Sequence, residues 1–189
     1  LFYRSGPYEP MDPHTTFSDP EKRKILMEKF FGPAAPAAVM SDTRSFLDTI
    51  AAQPDVRPGK IGATGYCMGG RMCLTAAGTY PERIAVAASF HGGRLADDAP
   101  DSPHLLAPRM KGVRVYVAGA IEDRSFPDDM KARLEEALSR AGVDHRVETY
   151  PARHGWVFRD TPAYDEAASE RHWRELIALF DAVLKGRSG

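Results

Sequence analysis

The sequence is poor in cysteine: Cys67 and Cys73 are the only two in 189 residues. They are too few and too close together to form a disulfide framework, and they fit a reducing compartment such as the cytoplasm. The chain also lacks net charge. Its 25 Lys and Arg nearly balance its 26 Asp and Glu, and no basic run is present to favour nucleic acid or anionic lipid. No apolar stretch approaches the roughly 18 residues of a membrane helix. Neither H-E-x-x-H nor any zinc-like spacing of His, Cys, Asp and Glu is present, and there is no G-x-G-x-x-G or P-loop. A metal and an organic cofactor are therefore both unexpected, which leaves a small molecule as the expected partner. Repeats, low-complexity tracts and linkers are missing too, so residues 1–189 are expected to form a single domain. An initiator Met is absent: the chain opens on Leu1, and a targeting segment cannot be read from it.

Strand and helix patterns alternate along the rest of the chain. After an irregular opening rich in Pro and Gly, residues 20–32 read as a helix with Pro at its start and Gly at its end. A second helix is expected over about 37–53, with Val39, Phe46, Leu47 and Ile50 on its inner face. Short, continuously apolar runs at 59–66, 83–93 and 113–120, followed by 144–151, read as strands. Helices are expected after the glycine pair at 69–70, over 127–142 and over 163–186. The last carries Trp173, Leu176, Ile177, Phe180 and Val183 at helical spacing, a stripe read as core packing. Apolar strands alternating with helices predict an α/β domain with a mostly parallel sheet covered on both faces.

The stretch GYCMGG at 65–70 carries the chemistry. A nucleophile on a sharp strand-to-helix turn needs small residues on either side so that strand and helix can approach. Gly65 and Gly69 stand at those positions, and Gly70 gives further room. The turn lifts Cys67 above the end of the sheet, at a helix N-terminus that favours a thiolate. The Met68 backbone N–H then points where an oxyanion would form. Cys73, deeper in the helix beside Met72 and Leu74, reads as core.

A cysteine nucleophile needs a base, and the base needs an orienting acid. On a sheet of this kind the chain order is nucleophile, acid, histidine, each on a loop after a strand. Asp123 follows the strand at 113–120, with Glu122 as an alternative, while Asp128 and Asp129 read as first-turn helix residues. His154 follows the strand at 144–151. His91, at the end of the strand at 83–93, is the second histidine candidate and is expected at most to line the cleft.

The segments GYCMGG around Cys67, AGAIEDRSFP around Asp123 and YPARHGW around His154 resemble the dienelactone hydrolase family of α/β-hydrolases. The resemblance runs along essentially the whole chain. It implies the α/β-hydrolase fold and a Cys67–Asp123–His154 triad that cleaves a carboxylic ester or lactone through an acyl-cysteine. By the same resemblance, Arg4 in LFYR and Arg159 after the histidine would hold a substrate carboxylate, although Arg159 sits one position further along than the family pattern. The family also has strands before the nucleophile strand, and none is legible before residue 59. The native protein is thus expected to be longer by roughly 50 to 60 residues, in keeping with ordinary domain size. Those residues would supply the second oxyanion donor and a glutamate that handles the resting thiol. Other readings of the same pattern are a carboxylesterase or thioesterase on this fold, a non-catalytic ligand-binding relative, and a redox-sensing cysteine protein. The oligomeric state is not legible.

Overall fold

The computed structural model describes residues 2–185. Four strands form its sheet: β1 (Ile61–Tyr66), β2 (Ile84–Phe90), β3 (Arg114–Ala120) and β4 (Asp144–Tyr150). They lie in sequence order and every neighbouring pair is parallel. Each connection must therefore cross a face of the sheet. The crossovers run through α3 (Met68–Thr79), a 3-10 helix (Pro103–Arg109) and α4 (Asp128–Arg140), and α5 (Glu166–Phe180) follows the last strand. Before the sheet come a short helix α1 (Pro20–Ile25), a π-helical turn (Leu26–Phe31) and the longer α2 (Pro36–Ala51). The expected α/β organisation is present: β1, β3 and β4 lie within two residues of the expected runs, while β2 stops at Phe90, three residues short of the expected 83–93.

Side chains alternate along each strand, so the sheet builds two cores. Ala87, Val115 and Val117 face α3 and α4, joining Leu74, Ala77, Leu134 and Leu138. Ala88, Phe90, Tyr116 and Ala118 face the other way, with Trp156 and with Ala168 and Leu176 of α5. All seven residues of β2 are buried, as befits a central strand covered on both faces. Among the described residues β1 pairs only with β2 and is an edge.

The outer helices differ from expectation in the faces they bury. On α2 the buried stripe is Val39, Met40 and Leu47, while Phe46 and Ile50 are exposed. Phe46 lies about 100° around the helix from Leu47, and only one stripe can meet α3. Tyr80 Oη donates to Met40 O at 2.7 Å and Arg83 Nη2 to Leu47 O at 2.7 Å, which pins that orientation. On α5 the inward residues are Ala168, Ser169, His172 and Leu176, whereas Trp173 and Ile177 are exposed. The last residue of the expected range 163–186 lies outside the described residues.

Candidate active site

The strand β1 ends at Tyr66 and α3 begins at Met68, leaving one residue, Cys67, to make the whole turn. It does so at φ 52° and ψ −120°, a conformation costly for any residue with a Cβ. The glycines around it explain how the turn closes. A Cβ on Gly65 would lie 2.0 Å from the Gly69 carbonyl oxygen, so the strand rests directly on the first turn of the helix. A Cβ on Gly70 would meet Ser89 Oγ at 2.4 Å and Gly92 Cα at 2.9 Å. Gly69, by contrast, faces open space. Its backbone, not its missing side chain, is what Gly65 must approach, and Gly70 is the helix residue for which smallness is obligatory.

Cys67 is half-buried and Cys73 is buried, its thiol pushed up to about 12 by desolvation. Met68 is the first residue of α3, and the first N–H groups of a helix have no partner within it. Its backbone is thus a donor beside the Cys67 sulfur.

The loop after β3 brings Asp123 to the same end of the sheet, and the loop after β4 brings His154. His154 Nδ1–H donates to Asp123 Oδ2 at 2.8 Å. The other carboxylate oxygen, Oδ1, accepts from Ser125 N at 2.9 Å and from Ser125 Oγ at 2.6 Å. Asp123 is buried while Glu122 is exposed at a positive φ of 51°, so Asp123 is the residue that meets the imidazole. Burial works against charge on Asp123, but the bonds from His154 and Ser125 outweigh it and hold the carboxyl below its ordinary range. With Nδ1 committed, Nε2 is the nitrogen left for Cys67, which lines the same cavity. Burial opposes the imidazolium as well. The hydrogen bond to Asp123, with the influence of neighbouring Cys67, wins and raises His154 to about 10. Three separate turns thereby bring Cys67, the His154–Asp123 pair and Ser125 to one end of the sheet.

Cys67 and His154 open on a cavity of about 450 Å³, within the range occupied by small organic ligands. Met27 and Phe31 of the π-helical turn, Ala34 after it and Pro36 at the start of α2 form one wall. The first turns of α3, with Met68, Arg71 and Met72, form another, and Arg94, Asp101 and Ser125 complete it. Among the described residues no three His, Cys, Asp or Glu side chains converge as a metal site would require.

Three residues singled out from the sequence take other places. Arg4 binds Asp42 through Nε at 3.0 Å and Nη2 at 2.5 Å and is not part of the cavity wall. Arg159 stacks its guanidinium over the Tyr164 ring at 5.9 Å, also away from the wall. His91 is fully buried behind His154 rather than in the wall. Its ring centre lies 5.0 Å from that of His154 and 4.9 Å from Trp156, with Tyr66 and Phe158 closing the sides. Both of its nitrogens lack a hydrogen-bond partner.

This burial has a measurable consequence. Desolvation, helped by the charge on His154, lowers His91 from 6.5 to about 3, with Asp123 opposing and His172 assisting. A depressed folded-state pKa means that stability is complete above pH about 6.5 and is lost as pH falls toward 3, because the unfolded chain takes up the proton first. The loss is up to about 1.4 kcal/mol per pH unit for one such group. His91→Phe, which keeps the ring packing, is expected to unfold at a lower pH than the unsubstituted protein in acid titrations followed by circular dichroism. Equal acid midpoints would contradict this role.

Sequence reasoning missed the buried pair His172 and Tyr66. His172 is fully buried, and its Nε2 lies 2.7 Å from Tyr66 Oη. Its position on the inward stripe of α5 was the available signal. Arg71 and Arg94 were also missed, because nothing local distinguishes them from other arginines.

The profile of the dienelactone hydrolase family matches residues 1–184. A protein of Synechocystis provisionally named a carboxymethylenebutenolidase is 28% identical over 153 residues, covering 79% of this chain and 61% of that protein. The chain thus spans about three fifths of the length of that relative. Among solved structures, a Klebsiella pneumoniae protein provisionally described as a dienelactone hydrolase superposes with a TM-score of 0.78 at 21% identity, over 95% of this chain and 72% of that one. A dienelactone hydrolase-like promiscuous phosphotriesterase from metagenomic libraries superposes at 0.66 with 28% identity, over 79% and 63%.

Proposed function

Because the chain belongs to the dienelactone hydrolase family, we propose that the protein hydrolyses a carboxylic ester or lactone through a covalent acyl-cysteine. The observation that carries this reading is the Asp123–His154 hydrogen bond on the same cavity as Cys67, which stands on the strained strand-to-helix turn.

The Cys67 thiolate forms a C–S bond to the substrate carbonyl carbon, and the carbonyl π pair moves onto oxygen, facing the Met68 N–H. That charge is what a fixed donor stabilises most in acyl transfer. The intermediate collapses by breaking the C–O bond, and the leaving oxygen takes the proton from His154 Nε2. The products of this half are the free alcohol or enol, a thioester on Cys67 and a neutral His154. Acylation also removes the thiolate charge, one of the causes that hold the imidazolium so high. His154 is consequently a weaker acid partner and a usable base for the second half. It takes a proton from water as the water oxygen attacks the thioester. Collapse then expels the thiolate, restoring the ion pair and releasing the acid. Throughout, Asp123 holds the Nδ1–H tautomer, and Ser125 holds Asp123.

A thiolate leaves a tetrahedral intermediate readily, so the reaction suits good leaving groups such as an enol lactone or aryl ester rather than an amide. The two free thiols suit a reducing, cytoplasmic setting, and among the described residues no helix is long and apolar enough to cross a membrane.

The test is Asp123→Asn with an aryl ester. The amide offers the wrong hydrogen-bonding group to His154 while keeping its shape, and kcat is expected to fall by about 10³ to 10⁴. A loss under about tenfold would contradict the proposed role.

A further inference from the structure

His91 is a buried titratable group beside the site that the proposed mechanism leaves unused. Neither of its nitrogens has a hydrogen-bond partner, and it is not part of the cavity wall, so it moves no proton in the reaction. Burying an imidazole with both nitrogens unpartnered costs stability, and a group held at that cost against the reacting histidine calls for a role.

Its place follows from the main chain. The strand β2 ends at Phe90, and His91 leaves it at a positive φ of 39°. The His91 N–H donates to Ala118 O at 2.8 Å, so the residue stays hooked to β3. The loop after β4 closes around the ring. His154 and Trp156, two residues apart, both pack against it, with ring centres 5.0 Å and 4.9 Å away and planes inclined by 59° and 77°. Trp156 cannot yield easily. It is fully buried and stacked on the Tyr150 ring of β4 at 5.1 Å and 19°, and its carbonyl accepts from Asp165 N at 3.1 Å. Tyr66, the residue before Cys67, stands at 6.0 Å. The ring is thus set among the ends of β1, β3 and β4, the strands whose loops carry Cys67, Asp123 and His154.

His154 needs such a support. The bond to Asp123 holds Nδ1 and leaves the ring free to pivot about that corner. On its other side His154 opens on the cavity and is partly exposed. A pivot of about 30° moves Nε2 by about 1 Å, a displacement that can cost about a hundredfold in rate. The enclosure also keeps His91 uncharged, so its ring supports an imidazolium without repelling it.

From this geometry we infer that His91 is a positioning residue: its ring is the backstop that sets the tilt of His154, so that Nδ1 meets Asp123 while Nε2 faces Cys67. The inference rests on the hydrolytic reading above and deepens it. The flat ring is what acts, not its nitrogens.

Three forms of the full-length protein separate this role from general packing. They are the unsubstituted chain, His91→Phe, which keeps a flat ring, and His91→Leu, which keeps about the same volume and loses the ring. With p-nitrophenyl acetate, His91→Leu is expected to lower kcat by about thirtyfold or more with KM changed by less than about threefold, and His91→Phe to lose less than about fivefold in kcat. The second readout is the His154 Nδ1 proton bonded to Asp123, followed by NMR with isotopically labelled histidine. A sharp, far-downfield resonance is expected in the unsubstituted protein and in His91→Phe, and a broadened or absent one in a His91→Leu whose far-UV circular dichroism is unchanged. A loss of packing alone would lower the melting temperature and leave kcat and that resonance in place. If His91→Leu does not fold, His91→Met, whose flexible chain fills irregular space, takes its place with the same expectations. Retention of kcat and of the resonance in the variant without a ring would overturn the inference, and so would a His91→Phe that falls as far as that variant does. The proton readout needs no turnover. An unsubstituted protein inactive on the ester would overturn the hydrolytic reading, and the resonance alone would then decide the inference.

Discussion

Cys67→Ala is expected to lower kcat/KM toward aryl esters by at least about a thousandfold, with the fold unchanged. The size of the effect follows from what the sulfur does. In the proposed mechanism it forms and breaks the bond to carbon in the two halves of the reaction, and Cys73 cannot replace it. Cys73 is buried and its proton is held up to about pH 12, so it offers neither access nor a thiolate. The substitution should be benign for folding, since Cys67 is half-buried and alanine retains the Cβ whose strained turn the surroundings already support. A second readout accompanies the loss of rate. Without the sulfur, one of the neighbours that raise His154 disappears, so the imidazole is expected to titrate at lower pH by NMR. Full esterase activity in Cys67→Ala would end the proposed mechanism.

Gly65→Ala is expected to be the most destabilising small substitution in the site. Its methyl group would be built 2.0 Å from the Gly69 carbonyl oxygen and 2.8 Å from Gly70 N. Both atoms are backbone at the start of α3, so relief requires the helix to slide away from β1. Overpacking of this kind, against atoms that cannot change rotamer, costs about 3 kcal/mol or more. Activity should fall with stability, because the same slide carries Cys67 and the Met68 N–H away from His154. Gly69→Ala is the internal control: nothing lies within 4 Å of its added Cβ, and alanine is the better helix former. Urea melts of the two variants check the contrast, and equal midpoints would contradict it.

The sequence made legible what depends on local pattern. Continuous apolar runs bounded by glycine marked β1 to β3, because strands buried on both faces have no polar alternation to obscure them. Cys67 stood out because a strained turn demands glycine in its immediate neighbourhood. Asp123 and His154 could be placed because each follows a strand, and a parallel sheet delivers all such loops to one end. What stayed illegible depends on which distant surfaces meet. Phe46 and Ile50 satisfy a helical stripe as well as Met40 does, and only the position of α3 decides between them. His91 reads as a polar residue at a strand end, yet its ring is enclosed by Tyr66, His154, Trp156 and Phe158, contributed by the end of β1 and the loop after β4. Arg71 and Arg94 are anonymous in sequence, because their charges are cancelled by Asp97 and Asp101, which lie up to 30 residues from Arg71. Gly69 and Gly70 are indistinguishable by residue type, and only the neighbouring Ser89 and Gly92 separate them.

The central claim is that Cys67 becomes acylated. The most direct measurement mixes the full-length protein with p-nitrophenyl acetate, quenches it early in acid and follows intact mass with peptide mapping. One acetyl group on the peptide containing Cys67, absent from the Cys67→Ala variant and lost on longer incubation before the quench, is the result expected. Steady release of p-nitrophenol with no adduct on that peptide, or with an adduct that persists in Cys67→Ala, would contradict it.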